Sequence, residues 1–156
     1  MKLDAIDQKL LMLLQQDSNQ TVKALAQQLG KSTTPIFERI KKLEKEGIIE
    51  GYTARINAKK IGLKQIVFIA ISLQGHTRSY LEKSVKEINN FPEVIECHRV
   101  SGNFDYLLKL VVQDIESYET FIVTKLTLLP YIGNVQSHIA LSTSKQTQEL
   151  DLSFLK

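Results

Sequence analysis

Leu3, Ile6, Leu10, Leu13 and Leu14 recur at steps of three and four residues, which predicts an amphipathic first helix with Asp4 placed to cap its start. The polar run Asp17-Ser18-Asn19 ends that helix. Thr21 then stands as an N-cap before Val22, Leu25, Ala26 and Leu29, and Gly30 holds the position that favours a left-handed helix stop. A third helix is announced at once by Ser32-Thr33-Thr34-Pro35, hydroxyl caps followed by a first-turn proline. Its apolar stripe is Ile36, Ile40 and Leu43 with Phe37 beside it. Lys41, Lys42 and Lys45 project away from the stripe and Arg39 stands at its boundary. Gly47 closes the helix. Ile48 to Ile56 reads as a strand or ribbon through alternating Tyr52, Ala54 and Ile56, and Asn57 to Lys64 as an irregular polar connection.

Beyond it the period changes. Ile66 to Leu73 is a β-branched run suited to a buried strand, and Leu81, Val85 and Ile88 return to helical spacing until Phe91-Pro92. Val94 to Ser101 and Asp105 to Val112 read as two strands joined by a turn at Gly102-Asn103. Asp114 can cap a helix carrying Tyr118, Phe121, Ile122 and Leu126, stopped by Leu129-Pro130, and a last strand runs from about Val135 to Leu141. The order βαββαβ predicts a ferredoxin-like antiparallel sheet with both helices on one face. The fold class is therefore α+β. A three-helix helix-turn-helix occupies residues 1–50, a strand or linker 51–62, the βαββαβ domain 63–143 and a tail 144–156. Roughly 80 residues cannot bury both faces of a sheet, so the uncovered face is a natural dimer surface.

Composition fits a folded chain: 43% hydrophobic and 24% charged residues with three prolines. The longest apolar stretch, Ile66 to Ile71, falls far short of the roughly 20 residues that span a bilayer, and the start lacks a signal-peptide core. A cytoplasmic protein is expected, without membrane partners. The single cysteine, Cys97, excludes an internal disulfide and a cysteine-rich zinc module. Charge is uneven. Residues 1–60 hold 11 Lys/Arg against 7 Asp/Glu, and residues 61–156 hold 9 against 10. A basic head on a near-neutral body is what phosphate attraction asks of a DNA-binding segment, although such an excess is also common on ordinary surfaces.

Two short helices joined by a glycine turn, the second opening with small hydroxyl residues and carrying cations outward, match major-groove readers. Ser32, Thr33 and Thr34 can reach base edges or phosphates near a helix N-terminus, or simply cap it. Pro35, Glu38, Arg39, Lys41 and Lys42 complete the expected DNA-binding face, with Arg39 and Lys42 as candidates to hold the backbone or a guanine, or else as a solvated helix face. In the second domain, Gly102 and Asp105 suit a hairpin turn in which the glycine takes positive φ and the aspartate bonds the backbone.

The chain also resembles the Lrp/AsnC, or feast/famine, regulators along nearly its whole length. The resembling stretches are Leu3-Asp4-Ala5-Ile6-Asp7, Thr34-Pro35 with Glu38-Arg39, Leu43-Glu44, Gly51-Tyr52-Thr53-Ala54, and Glu96-Cys97-His98 through Ser101-Gly102-Asn103-Phe104-Asp105-Tyr106-Leu107-Leu108-Lys109. The resemblance implies a winged or plain helix-turn-helix that binds double-stranded DNA. It further implies dimers assembling into octamers or other particles, and a small amino-acid effector such as leucine or methionine. It places that effector at Gly102, Asn103, Phe104, Asp105 and Tyr106, with Ser137 of the last strand as a completing hydroxyl. Asp105 would meet the ammonium and loop N–H groups the carboxylate. Lys31, where relatives commonly have an apolar residue, and Val135 to Ser144 depart from the leucine-responsive pattern, leaving operator and effector open.

Other chemistry has little support. His76, His98 and His138 lack ligand spacing, and Cys97 and His98 alternate across a strand, so no metal is expected. No phosphate loop or serine elbow occurs, and no cofactor is implied. The rival is an enzyme like the sirohaem decarboxylases, which resemble this family, but the second domain offers only Arg78 and Arg99 as arginine clamps. A third reading is an amino-acid-binding module without DNA binding.

Overall fold

The computed structural model describes residues 2–75 and 78–154. The chain forms two compact units, Met1–Arg55 together with Lys145–Lys156, and Ile56–Ser144. The division falls nearer Arg55 than the expected 62, and the last residues belong to the first unit instead of forming a separate tail.

In the first unit, α1 (Ala5–Gln16) starts in a reciprocal capping box. Asp4 accepts the N–H groups of Ile6 and Asp7 at 2.8 Å, and Asp7 accepts the N–H of Asp4 at 3.1 Å. Thr21 caps α2 (Val22–Gln28) by accepting from Ala24. Gly30 at φ 62° reverses the chain into α3 (Thr33–Lys45), a backbone angle that side chains with a Cβ rarely adopt. The predicted stripes meet in one core: Leu10, Leu25, Ile36 and Leu43 are fully buried, and Leu152 joins them from the far end of the chain. Each such side chain contributes about 1.5–3 kcal/mol when removed from water.

The expected strand at Ile48–Ile56 is not formed; among the described residues of this unit there is no strand for it to pair with. An alternating run without a partner leaves its N–H and C=O groups to water and stays irregular. Tyr52 instead folds back to α3, its hydroxyl donating to Glu44 at 3.1 Å. The following polar connection contains a short 3-10 turn, Ala58–Ile61, capped by Asn57.

The second unit is a four-stranded antiparallel sheet of β1 (Gln65–Leu73), β2 (Val94–Arg99), β3 (Tyr106–Val112) and β4 (Ile132–Ile139), in the order β2-β3-β1-β4. Two helices, α4 (Arg78–Ile88) and α5 (Ile115–Thr124), pack on one face. Val67, Ile69, Ile71 and Leu73 alternate with Tyr106, Leu108, Leu110 and Val112 in lining that face, each 5% exposed or less. The pleat sends Phe68, Leu107 and Val111 to the other face, where they are only half-buried. Cys97 lies toward the helices and His98 away from them. Burial pushes the Cys97 thiol up from its ordinary value, which keeps it protonated and unreactive.

Candidate functional site

The exposed edge of α3 carries most of the expected DNA-binding residues. Ser32, Thr33, Thr34, Pro35 and Glu38 are all exposed at its amino-terminal end. Ser32 is the N-cap residue, yet its hydroxyl makes no capping hydrogen bond to the helix. That hydroxyl therefore is not engaged in capping and stays exposed at the start of the helix. Lys42 is exposed on the same helix. Lys41 is engaged with Glu44 at 2.8 Å and lies 5.8 Å from the centre of the Phe37 ring.

Arg39 behaves differently from the expected backbone contact. It turns toward α1, where its Nη1 donates to Asp4 Oδ2 at 2.6 Å and Asp7 Oδ1 at 2.5 Å. The Asp7 N–H above all holds the Asp4 carboxyl below the usual carboxylate range; desolvation pushes the other way, and the hydrogen bond and charge of Arg39 add to the lowering. A group depressed in the folded state contributes stability that is present above its unfolded pKa and is lost as pH falls through the lower folded value. The stability of the first unit is therefore expected to fall below about pH 4, and to fall less steeply in Asp4→Asn. Circular dichroism melts between neutral and strongly acid pH check this; identical pH dependence in the two proteins would deny Asp4 that role.

In the second unit the turn Ser101–Phe104 joins β2 to β3. Gly102 sits at φ 114°, and Ser101, Gly102 and Asn103 are exposed. Asp105 stitches this turn to the neighbouring strand. Its carboxylate accepts the Leu73 N–H at 2.7 Å, its own N–H donates to the Ile71 carbonyl at 2.8 Å, and its carbonyl accepts from Val100 at 3.0 Å. Both features of a plain structural turn are thus present, and the hydrogen bonds of Asp105 tie the end of the loop to β1. Tyr106 is buried beneath α4, and with Arg99, Leu81, Val85, Glu82 and Lys86 it lines a shallow, open groove of about 440 Å³. Arg99 and Tyr106 are directly opposed in the ladder, so the groove lies at the root of the loop.

Ser137 is not brought to that loop within one chain. It pairs with Ile69 on β1, and β1 separates β4 from β3, while the loop emerges beside the pair Ile71 and Tyr106. Two residues along and two strand spacings across put it roughly 12 Å away. The sequence reading missed the groove because Leu81 and Val85 read as an ordinary core stripe; the alternation that puts Arg99 and Tyr106 on one face was the available signal. His76 and the side chain of Arg78 lie outside the described residues. Among the described residues no group of three His, Cys, Asp or Glu is placed to hold a metal ion, and no helix is long and apolar enough to cross a membrane.

The chain thus joins a helix-turn-helix unit to a βαββαβ unit that carries a loop-edged groove. A model described as winged helix-turn-helix DNA-binding matches residues 3–50, and one described as the Lrp/AsnC ligand binding domain matches residues 66–150. The chain belongs to the Lrp/AsnC family of transcriptional regulators. It is 36% identical over 150 residues to the DNA-binding transcriptional activator DecR of Escherichia coli, covering 96% of this chain and 99% of that one. It is 35% identical over 142 residues to the Bkd operon transcriptional regulator of Pseudomonas aeruginosa, covering 91% and 93%. Among solved structures, a transcriptional regulator of Neisseria meningitidis in complex with L-Met superposes with a TM-score of 0.95 at 28% identity, covering 99% of this chain and 100% of that one. These relatives are regulators and the chain is not an enzyme, which removes the decarboxylase alternative.

Proposed function

We propose that this protein binds double-stranded DNA through the exposed amino-terminal edge of α3, and that an amino acid bound at the Gly102–Tyr106 loop modulates that binding, in the cytoplasm. The observation that carries the effector reading is the loop, tied to β1 through Asp105, at the mouth of a groove whose floor is apolar and whose rim is charged. Leu81, Val85 and Tyr106 suit an apolar side chain, Arg99 and Lys86 suit a carboxylate, and the exposed N–H groups of Gly102 and Asn103 add donors. The relative solved with L-Met makes methionine, or leucine of similar size, the first effector to try. Ser32, Thr33, Thr34, Pro35, Glu38 and Lys42 form the DNA face, with Lys41 at its edge.

A second copy covers the open face of the sheet through Phe68, Leu107 and Val111, and dimers associate further, toward an octamer. In such an assembly Ser137 of one copy can approach the loop of another. Ligand that binds two assemblies with different affinity shifts the balance between them. The test is a thermal-shift screen of the twenty amino acids. A ligand selective for the native protein raises its apparent stability by about 2.7 kcal/mol at one hundred times its Kd. A selective rise with methionine or leucine is expected; no rise with any amino acid would overturn the effector reading.

A further inference from the structure

The contact between Arg39 and α1 asks for a role of its own. We propose that Arg39 is a positioning residue, not a phosphate contact, and that it sets how the DNA-facing edge of α3 is presented by locking α3 to the first turn of α1. This rests on the DNA-binding reading above.

The seam that seats α3 consists of Ile36, Ile40 and Leu43. Apolar contact decides which face is buried but is non-directional, and cores tolerate some repacking while losing uniqueness. Arg39 supplies direction. Its Nη1 reaches Asp4 Oδ2 and Asp7 Oδ1, and both carboxylates are themselves fixed to the α1 backbone. Asp4 Oδ1 accepts the N–H groups of Ile6 and Asp7, and Asp7 Oδ2 accepts the N–H of Asp4. The guanidinium thus grips two points that the capping box has already placed. Asp7 is 7% exposed, so its charge cannot turn to water when the cation is removed.

The geometry gives the consequence a scale. Side chains lie about 5–6 Å from a helix axis, so a 20° rotation of α3 moves their tips by about 2 Å. That is enough to break a hydrogen bond to a base edge. Two carboxylates also offset the Arg39 charge, which leaves the attraction for phosphate to exposed cations such as Lys42 and Lys45.

The probe is a duplex selected by the intact chain from a random-sequence pool, with poly(dI-dC) as the non-specific competitor. Arg39→Ala and Asp7→Asn should each lower the ratio of selected to non-specific affinity by about tenfold or more, and the double variant should be no worse than the poorer single one. The slope of log affinity against log salt should stay at the wild-type value in all three. Arg39→Lys, which keeps the charge and loses the planar grip, should fall between wild type and Arg39→Ala, and it carries the test if Arg39→Ala does not fold. A slope shallower by about one in Arg39→Ala, with Asp7→Asn binding normally, would make Arg39 a phosphate contact and overturn the proposal. Failure of the wild-type chain to enrich any duplex would instead overturn the DNA-binding reading. Urea melts then decide the lock, since additive costs of Arg39→Ala and Asp7→Asn would deny it.

Discussion

A chain ending at Ser144 is expected to lose cooperative folding of its helix-turn-helix unit and, with it, measurable DNA binding. The reason lies in where the last residues go. Leu152 is 8% exposed within the cluster of Leu10, Leu11, Leu14, Leu25 and Leu43. Beside it, Gln15 mimics a strand partner: its amide donates to the Leu150 carbonyl at 3.1 Å and accepts the Leu150 N–H at 2.7 Å. Asp151 fixes the turn that follows by accepting from Ser153 at 2.9 Å. A unit of this size buries only about 60% of its surface on folding and has little stability to spare. Leu152→Ala alone should cost about 2–5 kcal/mol, the range for a buried leucine truncated to a cavity. Leu150→Ala, whose side chain is exposed and whose contacts are backbone, should cost little. Urea titrations followed by circular dichroism check the series. An unchanged midpoint for the helical unit after truncation would show that the terminal segment merely rests on it.

Replacing Asp105 with alanine is expected to abolish the response to an amino-acid effector while sparing DNA binding. The carboxylate holds the end of β1 through the Leu73 N–H, so its removal leaves that buried donor without its partner and frees the loop. An orphaned group of this kind costs about 1–3 kcal/mol, a loss the second unit can survive given the fully buried Val67, Ile69, Ile71, Leu108 and Leu110 of its two central strands. The expected functional effect is larger, because the proposed site depends on the loop keeping the shape that Asp105 helps to fix. A dissociation constant raised by two orders of magnitude or more, with DNA affinity within a few-fold of wild type, is the expected result by calorimetry and fluorescence anisotropy. Undiminished effector affinity would remove the loop from the site.

What was legible in the sequence was what neighbours in the sequence decide. Asp4, Thr21 and Asp114 announced caps that the structure contains, and Gly30 and Gly47 adopt the positive φ that ends their helices. The βαββαβ order followed from the switch between periods of two and 3.6 residues. The last strand begins at Ile132, earlier than expected, because Gly133-Asn134 reads locally as a turn while Ile132 in fact pairs with Leu73 across an irregularity in the ladder. Tyr52, Ala54 and Ile56 alternate like a strand, but pairing is a property of a partner that the local pattern does not reveal. The same limit hid the larger surprises. Arg39 finds Asp4 and Asp7 some thirty residues away, and Leu152 finds the helical core from the other end of the chain. Neither contact leaves a period to read, whereas the Gly102–Tyr106 loop stands as a candidate because resemblance pointed to it.

A titration of the intact chain onto its selected duplex at several salt concentrations, with and without the amino acid that stabilises it, joins the two halves of the proposed function. Affinity should fall steeply and linearly with log salt, as expected when phosphate contacts release counterions. The bound amino acid should shift either that affinity or the number of chains on the DNA. Weak binding with no salt dependence, or binding indifferent to an amino acid that demonstrably occupies the protein, would contradict an effector-controlled DNA-binding regulator.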